Sequence, residues 1–208
     1  MWQDGTHNIE YHRYLAQATH FKCRIMHTLA PYIQHKKILQ TARRLADREF
    51  DGGTVCTVRQ RPLSAVTAQG VCTRYQTMQA LCPRIYVSVD PYGAASALLM
   101  SQLYRLAMAA GESVTVGRCV LLPDGAPEHL LLPEKGVAFT VSNDYHTVDF
   151  PVYRRIHTLL YTDTQALQVH QETLEGWQRR LRCAVQRAIL SAPRFPCVKG
   201  SVKTEDFD

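Results

Sequence analysis

The stretch "RIYVSVDPYGAASALLMSQLYRLAMAAGESVTVGRCVLL", residues 84–122, constrains the fold more than any other part of the chain. An apolar, β-branched run over 84–89 reaches a turn at Asp90-Pro91-Tyr92-Gly93 and continues as a mostly apolar segment over 94–110. A second β-branched run fills 113–122. Only Ser96, Ser101, Gln102 and Arg105 interrupt the apolar surface of the middle segment, so that helix must be largely buried. Gly111 follows it, where a left-handed residue closes a helix at no steric cost. Strand, helix, strand with a crossover of this length predicts a parallel β-α-β unit.

On either side of this unit the pattern is helical. Before Pro31, Tyr11, Tyr14, Leu15, Ala18, Phe21, Ile25 and Leu29 recur every three or four residues, which predicts an amphipathic helix broken at the proline. A basic helix then carries Ile33, Ile38, Leu45 and Phe50 and stops at Asp51-Gly52-Gly53. Residues 54–61 alternate as a strand ended by Pro62, and 64–81 read as a helix closed by Cys82-Pro83. Three prolines and two glycines make 123–136 a loop, and 137–142 with 146–150 read as an antiparallel hairpin across Asn143-Asp144-Tyr145.

Residues 152–191 are expected to be mostly helical. There Leu167, Leu174, Leu181 and Ala188 recur every seven residues, with Trp177 and Ala184 in the second seam and Glu175 spaced for an ion pair with Arg179. The whole reads as one domain over 1–208, of class α/β or α+β. It comprises a basic helical region (1–50), a core (54–150) with a small mixed sheet holding one β-α-β unit and a hairpin, a long C-terminal amphipathic helix (152–191) and a polar tail (192–208).

Charge divides the chain unevenly. Residues 1–75 hold eleven Lys and Arg against five Asp and Glu, whereas 76–208 hold thirteen of each. A one-sided basic surface attracts nucleic acid or an acidic protein. The expected phosphate-contacting residues are Arg13, Arg24, Lys36, Lys37, Arg43, Arg44 and Arg48. The tyrosines of this region fall mainly on the apolar side, so base stacking has no visible support and RNA is favoured over DNA only as a backbone or shape partner. The C-terminal seam of Leu167, Leu174, Trp177 and Leu181 is the candidate protein-docking surface.

"HFKCRIMH", residues 20–27, looks like a metal motif. On a helix, however, His20 and His27 stand about 10.5 Å apart along the axis, too far for two imidazoles to share one ion easily. His20, Cys23, Arg24 and His27 are instead assigned to the outer basic face, and neither a metal nor another cofactor is expected.

Chemistry of a different kind is suggested by "QGVCTRYQTMQAL". Cys72 follows a glycine and would fall at a helix N-terminus, where the dipole favours a thiolate. His129 or His146 would act as base, oriented by Asp144 or Asp149. This order of Cys, His and Asp resembles papain-like thiol hydrolases, and the resemblance is confined to these residues. It implies a cysteine hydrolase or transferase as an alternative to a non-catalytic subunit of a ribonucleoprotein or other nucleic-acid complex. A scaffold without nucleic-acid contact is the third reading.

Seven scattered cysteines with no C-x-x-C pair fit a reducing, intracellular compartment. No run of 18 apolar residues predicts a membrane span, and Asp4 and Glu10 replace the apolar core that a secretory signal would need.

Overall fold

The computed structural model describes residues 4–53 and 56–193. Helix α1 (Asp4–Leu29) buries Ala18, Ile25 and Leu29. Pro31 cannot donate to the helical ladder, and it sits in a single tight turn, Ala30–Tyr32, before α2 (His35–Glu49) begins. Helix α2 buries Ile38, Ala42 and Leu45.

Three short strands follow: β1 (Val58–Gln60), β2 (Ser64–Thr67) and β3 (Gly70–Thr73). Next come α3 (Tyr75–Leu81), β4 (Arg84–Val89), α4 (Ala94–Ala109) and β5 (Val114–Cys119). The chain continues with β6 (Leu122–Leu132), β7 (Val137–Ser142) and β8 (Arg154–His157). It closes with α5 (Thr164–Leu167) and α6 (Gln171–Ser191).

Six strands form a mixed sheet in the order β1-β5-β6-β7-β4-β8, while β2 and β3 make a separate hairpin. Strand β6 is antiparallel to both neighbours, and the other pairings are parallel. The class is therefore the mixed α/β one expected. Strands β4 and β5 run the same way, as the β-α-β pattern required, but β6 and β7 lie between them. Gly111, at φ 75°, caps α4 while Glu112 N bonds Ala107 O at 2.9 Å.

Alternation sorts the sheet residues onto two faces. On one face Tyr86, Val116, Leu130, Phe139 and Val141 pack under α2 and α4. On the other, Ile85, Val87, Leu131 and Ala138 pack against Leu63, Met78, Cys82 and Val148. A third cluster joins α1 and α6 to Ala94, Cys119 and Leu121. The α1–α6 pair thus crosses the end of the sheet where β4, β5 and β7 finish. Thr19 Oγ1 donates to Leu121 O at 2.7 Å, and the Tyr11 hydroxyl donates to Val66 O at 3.1 Å, fixing α1 there.

Several local expectations are corrected. Residues 64–73 are not helical: the β2–β3 hairpin pairs Ser64 with Thr73 and Val66 with Val71, turning at Ala68-Gln69 into Gly70, whose φ is 124°. Residues 123–132 are not a loop but most of β6. Pro123 and Pro127 survive there because the β5–β6 register slips, pairing Arg118 with Pro127 and Cys119 with Leu122. The hairpin at β7 is made with β6 through the turn Pro133–Lys135 and Gly136. Residues 146–150 form no strand, and 154–157 form one within the stretch expected to be helical. In α6, Glu175 Oε1 accepts from Gln171 Nε2 at 3.1 Å. Residues 194–208 of the expected polar tail lie outside the described residues.

Candidate functional site

Lys22 is the residue that the motif "HFKCRIMH" conceals. It follows Ala18 by four residues and precedes Ile25 by three, so helical spacing places it within the apolar stripe of α1. It is only 6% exposed. Its Nζ lies 3.0 Å from Cys119 Sγ, at the end of β5, and 3.8 Å from Glu128 Oε1 on β6. Burial lowers its pKa, but Cys119, Glu128 and Asp90 outweigh that effect and raise it. The Cys119 thiol moves up as well, because burial exceeds the stabilisation that Lys22 gives a thiolate. The resting pair is therefore ammonium and thiol.

Glu128 is the hub. Its Oε1 accepts from His146 Nε2 at 2.9 Å; its Oε2, 3.9 Å from His129 Nε2, has no hydrogen-bond partner among the described residues although the residue is 5% exposed. Burial would raise its pKa; the hydrogen bond and charge of His146, with Lys22 and His129, overcome this and hold the carboxyl well below the ordinary range. The other ring nitrogen of His146, Nδ1, meets the Tyr75 hydroxyl at 3.2 Å. Asn143 shapes the loop that carries His146: its Oδ1 accepts from the backbone of Tyr145 at 2.9 Å and of His146 at 3.3 Å. Its Nδ2 lies 3.2 Å from His146 Nε2.

His129 is fully enclosed, with Nδ1 2.7 Å from Thr140 Oγ1 and Nε2 2.9 Å from Ser64 Oγ. Burial lowers its pKa to about 4, so the ring is neutral at physiological pH. Gly117 makes this arrangement possible. A Cβ there would lie 2.8 Å from Leu63 Cδ1 and 3.0 Å from His129 Cδ2, so any larger residue pushes back the segment that delivers Ser64.

A cleft of about 60 Å³ opens on this centre between α1, α4 and the start of β6. Lys22, Ser96, Cys119, Glu128 and Asn143 supply its polar lining, and Met26 and Leu122 belong to its apolar wall. It lies beyond the carboxyl ends of β4 and β7, where open α/β sheets bind ligands. The "DPYG" turn, read from sequence as a plain turn, borders it. Asp90 caps α4 by accepting from Tyr92 N at 3.1 Å and Ser96 N at 2.7 Å, and Gly93, at φ 82°, touches the cleft.

Of the expected catalytic set, His129 and His146 come together, with ring centroids 5.9 Å apart, but around Glu128. Cys72 lies in β3, not at a helix start. Strand alternation turns it to the face of the hairpin opposite Ser64 and Thr73, and its Sγ meets Thr67 Oγ1 at 3.3 Å. Asp144 pairs with Arg182 at 3.7 Å, and Asp149 is exposed. The arrangement of Cys72, histidine and aspartate is thus not assembled. Among the described residues, no group of three or more His, Cys, Asp and Glu is placed to hold a metal ion.

The C-terminal seam is also corrected. Leu167, Leu174 and Leu181 are 7%, 1% and 3% exposed, buried with α1 of the same chain, so this seam is an internal contact and not a free docking face. Trp177 remains half-buried at its edge.

The expected basic residues are all exposed. Lys36, Lys37, Arg43, Arg44 and Arg48 occupy about 140° of the α2 circumference at 100° per residue. Arg48 is partly committed to the fold, because its Nε lies 3.1 Å from the buried carboxylate of Glu49, and Arg44 donates to Thr41 Oγ1 at 3.1 Å. On the α1–α6 face, the guanidiniums of Arg24 and Arg180 each lie 5.1 Å from the Trp177 ring centroid, and Phe21 stacks on that ring at 5.9 Å. Arg13 and Arg187 flank Tyr14 in the same manner, at 4.9 and 5.7 Å.

No known family, curated protein or solved structure matches this chain. Among the described residues, no helix is long and apolar enough to cross a membrane.

Proposed function

We propose that this chain contacts nucleic acid, RNA in preference to DNA, as a non-catalytic component of a larger assembly. The observation that carries the reading is the pair of arginine–aromatic groups along α1 and α6, Arg24–Trp177–Arg180 and Arg13–Tyr14–Arg187. Single-stranded nucleic acid is held by cationic groups that follow the backbone and by aromatic faces on which bases stack. Sequence pattern alone offered the first feature without the second, because the aromatic rings and half of the arginines come from different ends of the chain. From 179 to 191, α6 adds Arg179, Arg180, Arg182 and Arg187 with no acidic residue, a local excess hidden by the neutral balance of 76–208. The basic face of α2 supplies further backbone contacts through Lys36, Lys37 and Arg43.

The six described cysteines are all free thiols, which supports placing the protein in a reducing, intracellular compartment. Trp177 fluorescence tests the reading in a Trp2→Phe background. A single-stranded RNA oligomer should quench it saturably, and Arg24→Gln/Arg180→Gln should weaken binding at least tenfold. Unchanged affinity in that variant removes the arginine–aromatic face from the interface. Binding of a polyglutamate peptide in place of RNA would make the partner an acidic protein.

A further inference from the structure

We propose that the cleft at Glu128 is a binding site for a small neutral carboxamide, of the size and chemistry of acetamide or urea. This site is separate from the nucleic-acid reading and does not depend on it. Two independent observations lead to it: an unpartnered, buried carboxylate oxygen on a residue that lines the cleft, and the N–H donors of Lys22 and Asn143 in the same lining.

Among the described residues Glu128 Oε2 is enclosed without a hydrogen-bond partner, with His129 Nε2 3.9 Å away, whereas its twin, Oε1, is held by His146. A buried acceptor left unpaired costs the protein its full desolvation penalty, so such an atom on a residue that lines a cleft calls for a donor. Lys22 faces the same cleft with three N–H donors, one directed to Cys119 Sγ at 3.0 Å and Glu128 Oε1 too distant, at 3.8 Å, to take another. Asn143 adds an amide nitrogen. A complementary ligand therefore offers an N–H to Glu128 and an oxygen acceptor to Lys22 or Asn143.

Charge narrows the class. A cationic ligand would pair with Glu128 but meet the ammonium of Lys22, and an anion would meet the opposite conflict. A neutral group with adjacent N–H and C=O satisfies both. Size narrows it again: at about 10–15 Å³ per water, a cleft of about 60 Å³ accepts roughly four to six water-sized groups. Acetamide has four heavy atoms, and the apolar wall of Met26 and Leu122 suits its methyl group.

Titration of the intact protein with acetamide, acetate and methylammonium, read by the imidazole NMR signals of His146, tests the assignment. Acetamide should give saturable shifts with a dissociation constant on the order of 1 mM, as expected for so few atoms; acetate and methylammonium should not saturate. Glu128→Gln should weaken acetamide at least tenfold. Ala97→Val, which fills the cleft from α4 and leaves the polar centre intact, should abolish the response and keeps the test decisive if the Glu128 variant fails to fold. Shifts that never saturate, equal responses to all three probes, or full acetamide binding in Ala97→Val would each overturn the proposal.

Discussion

Lys22 and Cys119, ninety-seven residues apart in the chain, meet at 3.0 Å across the end of the sheet. The contact joins the first helix to the close of the fifth strand and brings an ammonium within 3.8 Å of the buried carboxylate of Glu128. Breaking a buried charge pair from one side leaves the other charge uncompensated. Lys22→Met should therefore destabilise the protein by about 3–5 kcal/mol, measured by urea denaturation. A loss below about 1 kcal/mol would mean that water already screens this pair.

Acid should weaken the fold through His129. Its pKa in the folded state, about 4, lies below that of an unfolded histidine, about 6.5. The unfolded chain thus binds a proton that the native chain refuses, and stability present above pH 6.5 falls as pH drops through 4. The displacement corresponds to about 3 kcal/mol. Glu128, also held below its ordinary range, adds a further loss as pH falls below about 4.3. Denaturation midpoints between pH 7 and pH 4 should show a shallower slope in His129→Gln than in the wild type, and parallel slopes would contradict this assignment.

The internal contact of α1 and α6 predicts a sharp contrast between two leucines of one helix. Leu181 is 3% exposed and Leu190 is 75% exposed. Replacing Leu181 with Ala should cost about 2–5 kcal/mol, whereas Leu190→Ala should stay within about 0.5 kcal/mol. Chemical denaturation of the two variants side by side checks this.

Thiol labelling of the native protein should follow burial. Cys23, Cys56 and Cys183 are exposed and should react quickly with a maleimide. Cys119 and Cys82 are buried, and burial pushes the Cys82 thiol up to about 12. Both should label only after unfolding. Mass mapping of the modified peptides gives the result, and fast native labelling at Cys119 would contradict the thiol state assigned to it.

The strand-helix-strand core over 84–119 was legible because its signals are local: two β-branched runs, an apolar helix and a glycine cap. Strand β6 was not, because Pro123, Gly125 and Pro127 mark a loop in any local reading, and only the slipped register with β5 accommodates them. The hairpin of β2 and β3 escaped because each strand has four residues and no Asn-Gly turn announces it. In the candidate site, His129 and His146 stood out as residue types, but their partners did not. Lys22 was hidden by its own charge, which masked its place in an apolar stripe, and Cys119, Glu128 and Asn143 meet it only through the order of β5, β6 and β7. Tertiary topology makes this site, and sequence spacing encodes only the place of Lys22 in the apolar stripe of α1.

The most direct test of nucleic-acid contact is the salt dependence of affinity for a single-stranded RNA oligomer. Wild-type affinity should fall steeply and linearly on a log–log plot as counterions compete for the phosphates. Lys36→Gln/Lys37→Gln/Arg43→Gln spares Arg44 and Arg48, which also serve the fold, and at about 0.7 per lost contact its slope should be shallower by about 2. An identical slope in the variant, or no binding by the wild type at low salt, would contradict the account.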